Sequence, residues 1–452
     1  MLGAERWVAC APASPARSRE IVMTPSSSAL PRQTKRYEQK RQAILDAAVR
    51  LFNQKGLKGT TLADVAQSVG LITNSVTYYY RKKEELATAC LVRSIDVLEG
   101  MIAAALQEAA PEDRLRAILH LYCDKLAESA SGDQPPLMSF SDMRSLTSPH
   151  AELVFGTYNQ MFRHLRGLFE LDSDPFLTRA HRNARTHLII SVMHGVRHWI
   201  DHYEPEDYRR VADRVSDILI GGLAAARSGW GPTVLPQMTW PSAEEVSPEA
   251  FLRSATILIN EQGYRGASVE KISARLNVTK GSFYHHNDNK DDLIAACFER
   301  TFAVVRQVQR AAEANGETGW DHLCAATSEL VRYQLSDQGP LLRISAFSAL
   351  PEAMRGETKR TMDRLAQRFG SFVVDGMVDG SIRPLDPSVA AHMVDSIINA
   401  AVELEWWVPG ITPVSAADLY AKPLFMGVFT PEAEAEAQPA STARIAATRA
   451  SG

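Results

Sequence analysis

Residues 71–86 read LITNSVTYYYRKKEEL, so that the hydroxyl and amide side chains of Thr73, Asn74, Ser75, Thr77, Tyr78 and Tyr79 run directly into three cations, Arg81, Lys82 and Lys83. Amides and hydroxyls bond to base edges and phosphate oxygens, and Lys and Arg neutralise phosphates. The chemistry on offer is contact with a nucleic acid. Val76 and Tyr80, by helical spacing, are expected to pack inward, and Tyr79 fits either side. The same residues also fit a bland reading, with the tyrosines in a core and the cations on a solvated face.

A second group is His181, His187, His194, His198 and His202, predicted to share one helix, the last four near one face. His194 and His198, four apart, have the spacing of a metal-binding pair or of a pH response. They equally suit a helix interface or a pocket wall. Enzyme chemistry has less support. The sequence contains no GxSxG, no HExxH and no glycine-rich phosphate loop, so no catalytic residue, cofactor or metal is expected.

The 452-residue chain is 45% hydrophobic and 23% charged, enough to fill more than one core. Its formal net charge of -4 makes any nucleic-acid surface a local patch. Five scattered cysteines without CxxC spacing argue against a disulfide framework, which suits a reducing, cytoplasmic setting. No apolar run has membrane-spanning length. Residues 1–32 and 430–452, rich in Ala, Pro and polar residues, are expected to be disordered arms.

The chain repeats itself. AILDAAVRLFNQKGLKGTTLADVAQSVGLITNSVTYYYRKKEEL, from Ala43, aligns without a gap on AFLRSATILINEQGYRGASVEKISARLNVTKGSFYHHNDNKDDL, from Ala250, at an offset of 207. Each copy predicts three short helices. Tyr37, Ile44, Ala47, Ala48, Leu51 and Phe52 share one face of the first, and Gly56 ends it. Thr61 is placed to cap the next helix with Asp64 as partner, Ser268 does so in the second copy, and Gly70 and Asn277 make the following turns. A capped helix, a tight turn and a second short helix make a helix-turn-helix, whose second helix enters the major groove.

LNVTKGSFYHHNDNKDDL, residues 276–293, resembles the signature of the TetR/AcrR family of bacterial regulators, and the first copy is similar in spacing but has Thr73, Asn74, Thr77 and Tyr78 where the second has Lys280, Gly281, Tyr284 and His285. The resemblance covers residues 37–97 and 244–304. It implies an all-α fold of two tandem units, each a three-helix DNA-binding head followed by a helical ligand-binding and dimerisation body. It also implies a DNA contact set: Thr61, Thr73, Asn74, Ser75, Thr77, Tyr78, Tyr79, Arg81, Lys82 and Lys83 in the first head. In the second head the set is Ser268, Lys280, Gly281, Ser282, Tyr284, His285 and Lys290.

The remaining sequence fits that plan. The bodies are expected at 98–228 and 305–429, with long helical segments such as 153–169, 176–203 and 208–226, and with a helix ending at Trp406 where the first copy has Trp199. Residues 229–243, between them, read as a proline-stiffened linker. From Arg32 to Leu86 eleven Lys/Arg stand against five Asp/Glu, whereas from Pro248 to Leu293 there are six of each. The first head should therefore hold DNA harder, and the second either reads DNA weakly or serves association. Candidate effector-lining residues are Met138, Phe140, Met143, Phe155, Tyr158, Met161, His194 and His198, with Phe347 and Met362 in the second body. The expected partners are double-stranded operator DNA and a small-molecule effector, with no membrane. A 19-residue stretch, 229–247, spans at most about 65 Å, and a 200-residue lobe is on the order of 40 Å across. An intramolecular pseudo-dimer is thus geometrically allowed, beside a homodimer.

Overall fold

The computed structural model describes residues 32–141, 143–169, 177–236, 247–264, 266–276 and 290–431. Two compact units are distinguished. The first ends at Gln42, and its described part, 32–42, is helical; here Tyr37, expected on a buried face, is exposed. It precedes the apolar run of buried residues that begins at Ile44.

The second unit, Ala43–Gly452, is built from helices throughout its described residues. Its first head comprises the end of α1 (Arg32–Lys55), then α2 (Leu62–Ser68), α3 (Thr73–Thr77) and the start of α4 (Lys83–Ala105). Ile44, Ala48, Val49, Phe52, Val65 and Val76 bury one face of each short helix. Gly56 ends α1 at φ 71° and Gly70 turns the chain at φ 66°, conformations that cost a side-chain-bearing residue more. Thr61 caps α2: its hydroxyl accepts from the Asp64 amide, and the Asp64 carboxylate accepts from the Thr61 amide at 2.8 Å. The first body adds the rest of α4 with α5 (Pro111–Ala130), α6 (His150–Arg166), α7 (Arg179–Val196) and α8 (Tyr208–Gly221).

The second copy follows the same order with α9 (Pro248–Gln262), α10 (Val269–Arg275) and α11 (Lys290–Asn315), then α12 (Gly319–Gln334), α13 (Glu352–Asp379), α14 (Pro387–Ala400) and α15 (Leu404–Trp407). Short turns finish it: α16 (Pro413–Ala416), a π-helical turn at 417–421 and α17 (Lys422–Met426). Ser268 caps α10 as expected, its hydroxyl accepting from the Lys271 amide at 3.3 Å. Helices α4 and α11 run unbroken through the expected head–body borders.

Several expected helices end early. The segment predicted to reach Tyr203 stops at Val196, because His198 and Trp199 bond back to Gly195 and Val196 in tighter 3₁₀ fashion. The five histidines therefore do not share one helix. Helix α8 stops at Gly221 rather than 226, where Gly222 takes φ 68° with its backbone against that of Phe425 and Gly427. The helix expected to reach Trp406 breaks after Ala400 and resumes as α15. The expected linker is fastened at its start: Trp230 donates to Asp418 at 2.7 Å, and Leu235 is buried.

The two bodies share a seam in which α7 and α8 pack on α14, α15, the π turn and α17. Gly195 permits the closest approach, since a Cβ there would overlap Ser396. Asn183 donates to the Trp407 carbonyl at 2.7 Å, Arg185 to the carbonyls of Val428 and Thr430, and Tyr420 to the Ser191 hydroxyl at 3.0 Å. Trp199 stacks on His392 at 5.0 Å and Trp407 on Phe162 at 4.1 Å. Apolar cores divide unequally. One cluster joins the first head with both bodies, whereas the second head's core, around Phe251, Ile272, Leu293 and Phe298, forms a cluster of its own.

Candidate nucleic-acid interface and its coupling to the bodies

Helix α3 presents the first head's candidate contact face. Val76 is fully buried and Tyr80 nearly so, which anchors the helix from below and leaves Thr73, Asn74 and Tyr78 exposed, Tyr78 by 75%. Ser75, Thr77 and Tyr79 are half-buried at the margin of that face. The Thr77 hydroxyl donates to the Asn74 carbonyl at 3.0 Å, and the Tyr78 and Tyr79 rings meet edge to face at 5.3 Å, which fixes the end of the helix. Arg81 and Lys82 are exposed and Lys83 half-buried at the start of α4, where the Arg81 amide donates to Glu85 at 2.9 Å. Thr61 is exposed, and its hydroxyl is engaged by Asp64. Hydrogen bonds from Thr61 hold the Asp64 carboxyl below its usual range.

In the second head the structure places Ser268 at the cap of α10 and Lys290 as the first residue of α11. Lys280, Gly281, Ser282, Tyr284 and His285 lie outside the described residues, as does the Asn277 turn. The two heads approach each other where Lys58 of the first meets Gly266 of the second.

Each head is fastened to its body by the same set of bonds, which the sequence reading missed. In the first copy Asn53, near the end of α1, donates to the Leu137 carbonyl at 2.9 Å and accepts from the Ser139 amide at 2.8 Å. The Ser94 hydroxyl of α4 accepts from the Met138 amide at 2.9 Å. In the second copy Asn260 donates to the Leu341 carbonyl at 2.9 Å and accepts from the Arg343 amide at 3.0 Å, while Thr301 accepts from the Leu342 amide at 2.9 Å. Asn53 and Asn260, like Ser94 and Thr301, are 207 apart. Cys90 and Cys297 repeat the pattern, each thiol facing the carbonyl of Leu45 or Leu252. A head cannot tilt on its body without straining this clamp.

The candidate effector residues divide. Met161 and His194 border a small apolar cavity of about 10 Å³ with Met101, Met193 and Ile118, between α4, α5, α6 and α7. Phe140 stands 5.4 Å from His194 and 5.3 Å from Tyr158, whose ring continues to Trp407 of the second copy at 5.6 Å. Met138 and Met143 are buried and Phe155 packs on the core, but none of the three borders the cavity. His198 is exposed beyond the end of α7 and does not border the cavity. Phe347 and Met362, expected in a second-body pocket, pack instead against the second head's core, because the turn at 344–349 lies over that head.

Charge is concentrated beside this aromatic row. Arg144 of the first copy and Arg343 of the second both reach Glu403 Oε1, at 3.6 and 2.7 Å, and Arg144 lies 4.0 Å over the Trp406 ring. Burial pushes the Glu403 carboxyl up, but the guanidiniums of Arg343 and Arg144 outweigh it and leave it at about 2. His187 is pushed down to about 4 by burial, against the pull of Glu403, and His194 to about 3 by burial and then Arg197. Both imidazoles are neutral at pH 7. Among the described residues no cluster of His, Cys, Asp or Glu is arranged to hold a metal.

Comparison with known proteins agrees with this architecture. Residues 44–90 and 251–297 each match the family model described as bacterial regulatory proteins, tetR family. The Transposon Tn10 TetC protein of Escherichia coli is 30% identical over 148 residues, which cover 32% of this chain and 74% of that protein. The HTH-type transcriptional regulator BetI of Burkholderia ambifaria is 36% identical over 98 residues, 21% of this chain and about half (49%) of BetI. Among solved structures, a TetR-family transcriptional regulator from Bordetella parapertussis 12822 is 18% identical with a TM-score of 0.36, covering 40% of this chain and 94% of that one. The chain belongs to the TetR family of bacterial transcriptional regulators, with two family head units in tandem.

Proposed function

We propose that this regulator holds operator DNA chiefly through its first head, that its two copies act as an intramolecular pseudo-dimer, and that a small molecule entering the bodies releases it from DNA. The observation that carries the reading is the face of α3, with Thr73, Asn74 and Tyr78 exposed above a buried Val76 and Tyr80 and beside exposed Arg81 and Lys82. The seam between the bodies supports pairing within the chain. The cavity is no larger than a water, so an effector would have to open it; its three methionines, which reshape readily, favour one of largely apolar character. Effector coupling of about 1 to 3 kcal/mol would weaken operator binding roughly 5- to 150-fold.

The test is selection of bound fragments from a random DNA pool, followed by the mass of the complex on the best fragment. Two unlike half-sites about one helical turn apart, bound by one chain, are expected. A symmetric site bound by two chains would overturn the pseudo-dimer. A second reading, in which the second head serves association, is favoured by that head's equal numbers of acidic and basic residues. It is also favoured by the packing of α9 on the 143–145 turn of the first body. Loss of affinity in Lys280→Ala with Tyr284→Ala would count against it.

A further inference from the structure

Resting on the two-headed reading above, we infer that Glu403 is a positioning residue that sets the relation between the two heads, by holding one arginine from each copy's head-clamped loop on a single carboxylate oxygen. Arg343 receives its head's clamp directly: its own amide donates to Asn260 Oδ1, and its guanidinium reaches Glu403 at 2.7 Å. Arg144 lies five residues beyond Ser139, whose amide is held by Asn53 of the first head, and reaches the same oxygen at 3.6 Å. Helix α9 of the second head also rests on the 143–145 turn that carries Arg144. The route from Asn260 to the carboxylate runs through Arg343 alone, and Arg144 is placed by the 143–145 turn against which α9 packs.

The arrangement is not a product of the repeat. The residue 207 before Glu403 is Val196, and the residue placed like Arg343 in the first clamp is Ser139. One acid thus serves two loops, and no second copy of it exists to compensate. Replacing it by a neutral Gln leaves the two guanidiniums side by side without the shared charge that draws both in, so the hold on the two loops weakens. The clamps would pass that displacement on to the heads.

Spin labels at Gln67→Cys and Ala274→Cys, exposed positions 207 apart, read the distance between heads without DNA, in a Cys10→Ser background. Glu403→Gln should shift and broaden the distance distribution, Arg144→Gln should do so less, and Glu403→Asp should restore most of the native distribution. Binding to a two-half-site duplex should fall about 5- to 50-fold in Glu403→Gln, while binding to the first half-site alone stays within about 2-fold. A lowered melting temperature with an unchanged distance distribution would make Glu403 merely structural and overturn the inference. If Glu403→Gln does not fold, Arg144→Gln with an unchanged distribution overturns it equally. If the native chain uses a single half-site, the two-headed reading fails, and the label distances still decide whether Glu403 couples the heads.

Discussion

The two heads share a plan and differ in how they are held. The first is net basic, with eleven Lys/Arg against five Asp/Glu from Arg32 to Leu86, and its apolar core is continuous with both bodies. The second is electrostatically neutral, and its core is a separate cluster that, among the described residues, reaches the second body only at Leu342, Ala346 and Leu350 and the residues packed on them. Between the copies the clamp residues Asn53/Asn260 and Ser94/Thr301 are alike, while the candidate contact residues Thr73, Asn74, Thr77 and Tyr78 differ from their counterparts. Attachment is what both copies need; reading is what each can change.

The largest effect should separate the heads on DNA. Replacing Arg81 and Lys82 together by Ala is expected to weaken operator binding roughly 10- to 100-fold and to lower the salt slope by about 2, whereas Lys290→Ala changes it less than about 3-fold. Fluorescence titration at several salt concentrations measures both, and equal losses would erase the comparison. Next come the clamps. Asn53→Ala and Asn260→Ala each leave a carbonyl and an amide without their partner, at a cost of about 2 to 3 kcal/mol. Hydrogen exchange should show the first change lowering stability across the first head and bodies. The second should open the second head alone.

Acid provides a further separation. His187 and His194 in the seam, depressed to about 4 and 3 by burial, are neutral in the folded chain. Their contribution is complete above the ordinary histidine range near 6.5 and is lost as pH falls through those values. Between pH 6.5 and 4 the first head should therefore lose exchange protection along with the bodies, before the second does. The smallest effect tests the seam by itself. Burial raises Asp395 of α14 to about 6, so the burden of its charge grows as pH rises above the ordinary aspartate range near 4 and is complete above about 6. Asp395→Asn should raise the melting temperature by a few degrees at pH 8, by about half as much at pH 5 and hardly at all at pH 3. DNA binding by either head should be unchanged.

What the sequence carried was local. The Thr61–Asp64 cap, the Ser268 cap and the Gly56 and Gly70 turns follow from residue type and spacing, the inward set of Val76 and Tyr80 from spacing together with the family resemblance, and all are present. The clamps were half visible. Asn53 and Asn260 align at the repeat offset, but their partners at 137–139 and 341–343 sit 204 apart, where the register had already slipped. The early end of α7 depended on 3₁₀ bonding at Gly195–Trp199, which does not disturb the apolar pattern that predicted a longer helix. Glu403 had no signal at all, since its meaning lies in two arginines brought to it from opposite copies. Whether Thr73, Asn74 and Tyr78 touch bases is likewise a question for DNA rather than for periodicity.

The seam's bonds from Asn183 to Trp407 and from Arg185 to Val428 join segments of one polypeptide. Pairing of the two bodies is then a first-order event whose extent does not fall on dilution. A regulator of this build, present in a few molecules per cell, would keep its two bodies paired whatever its own abundance.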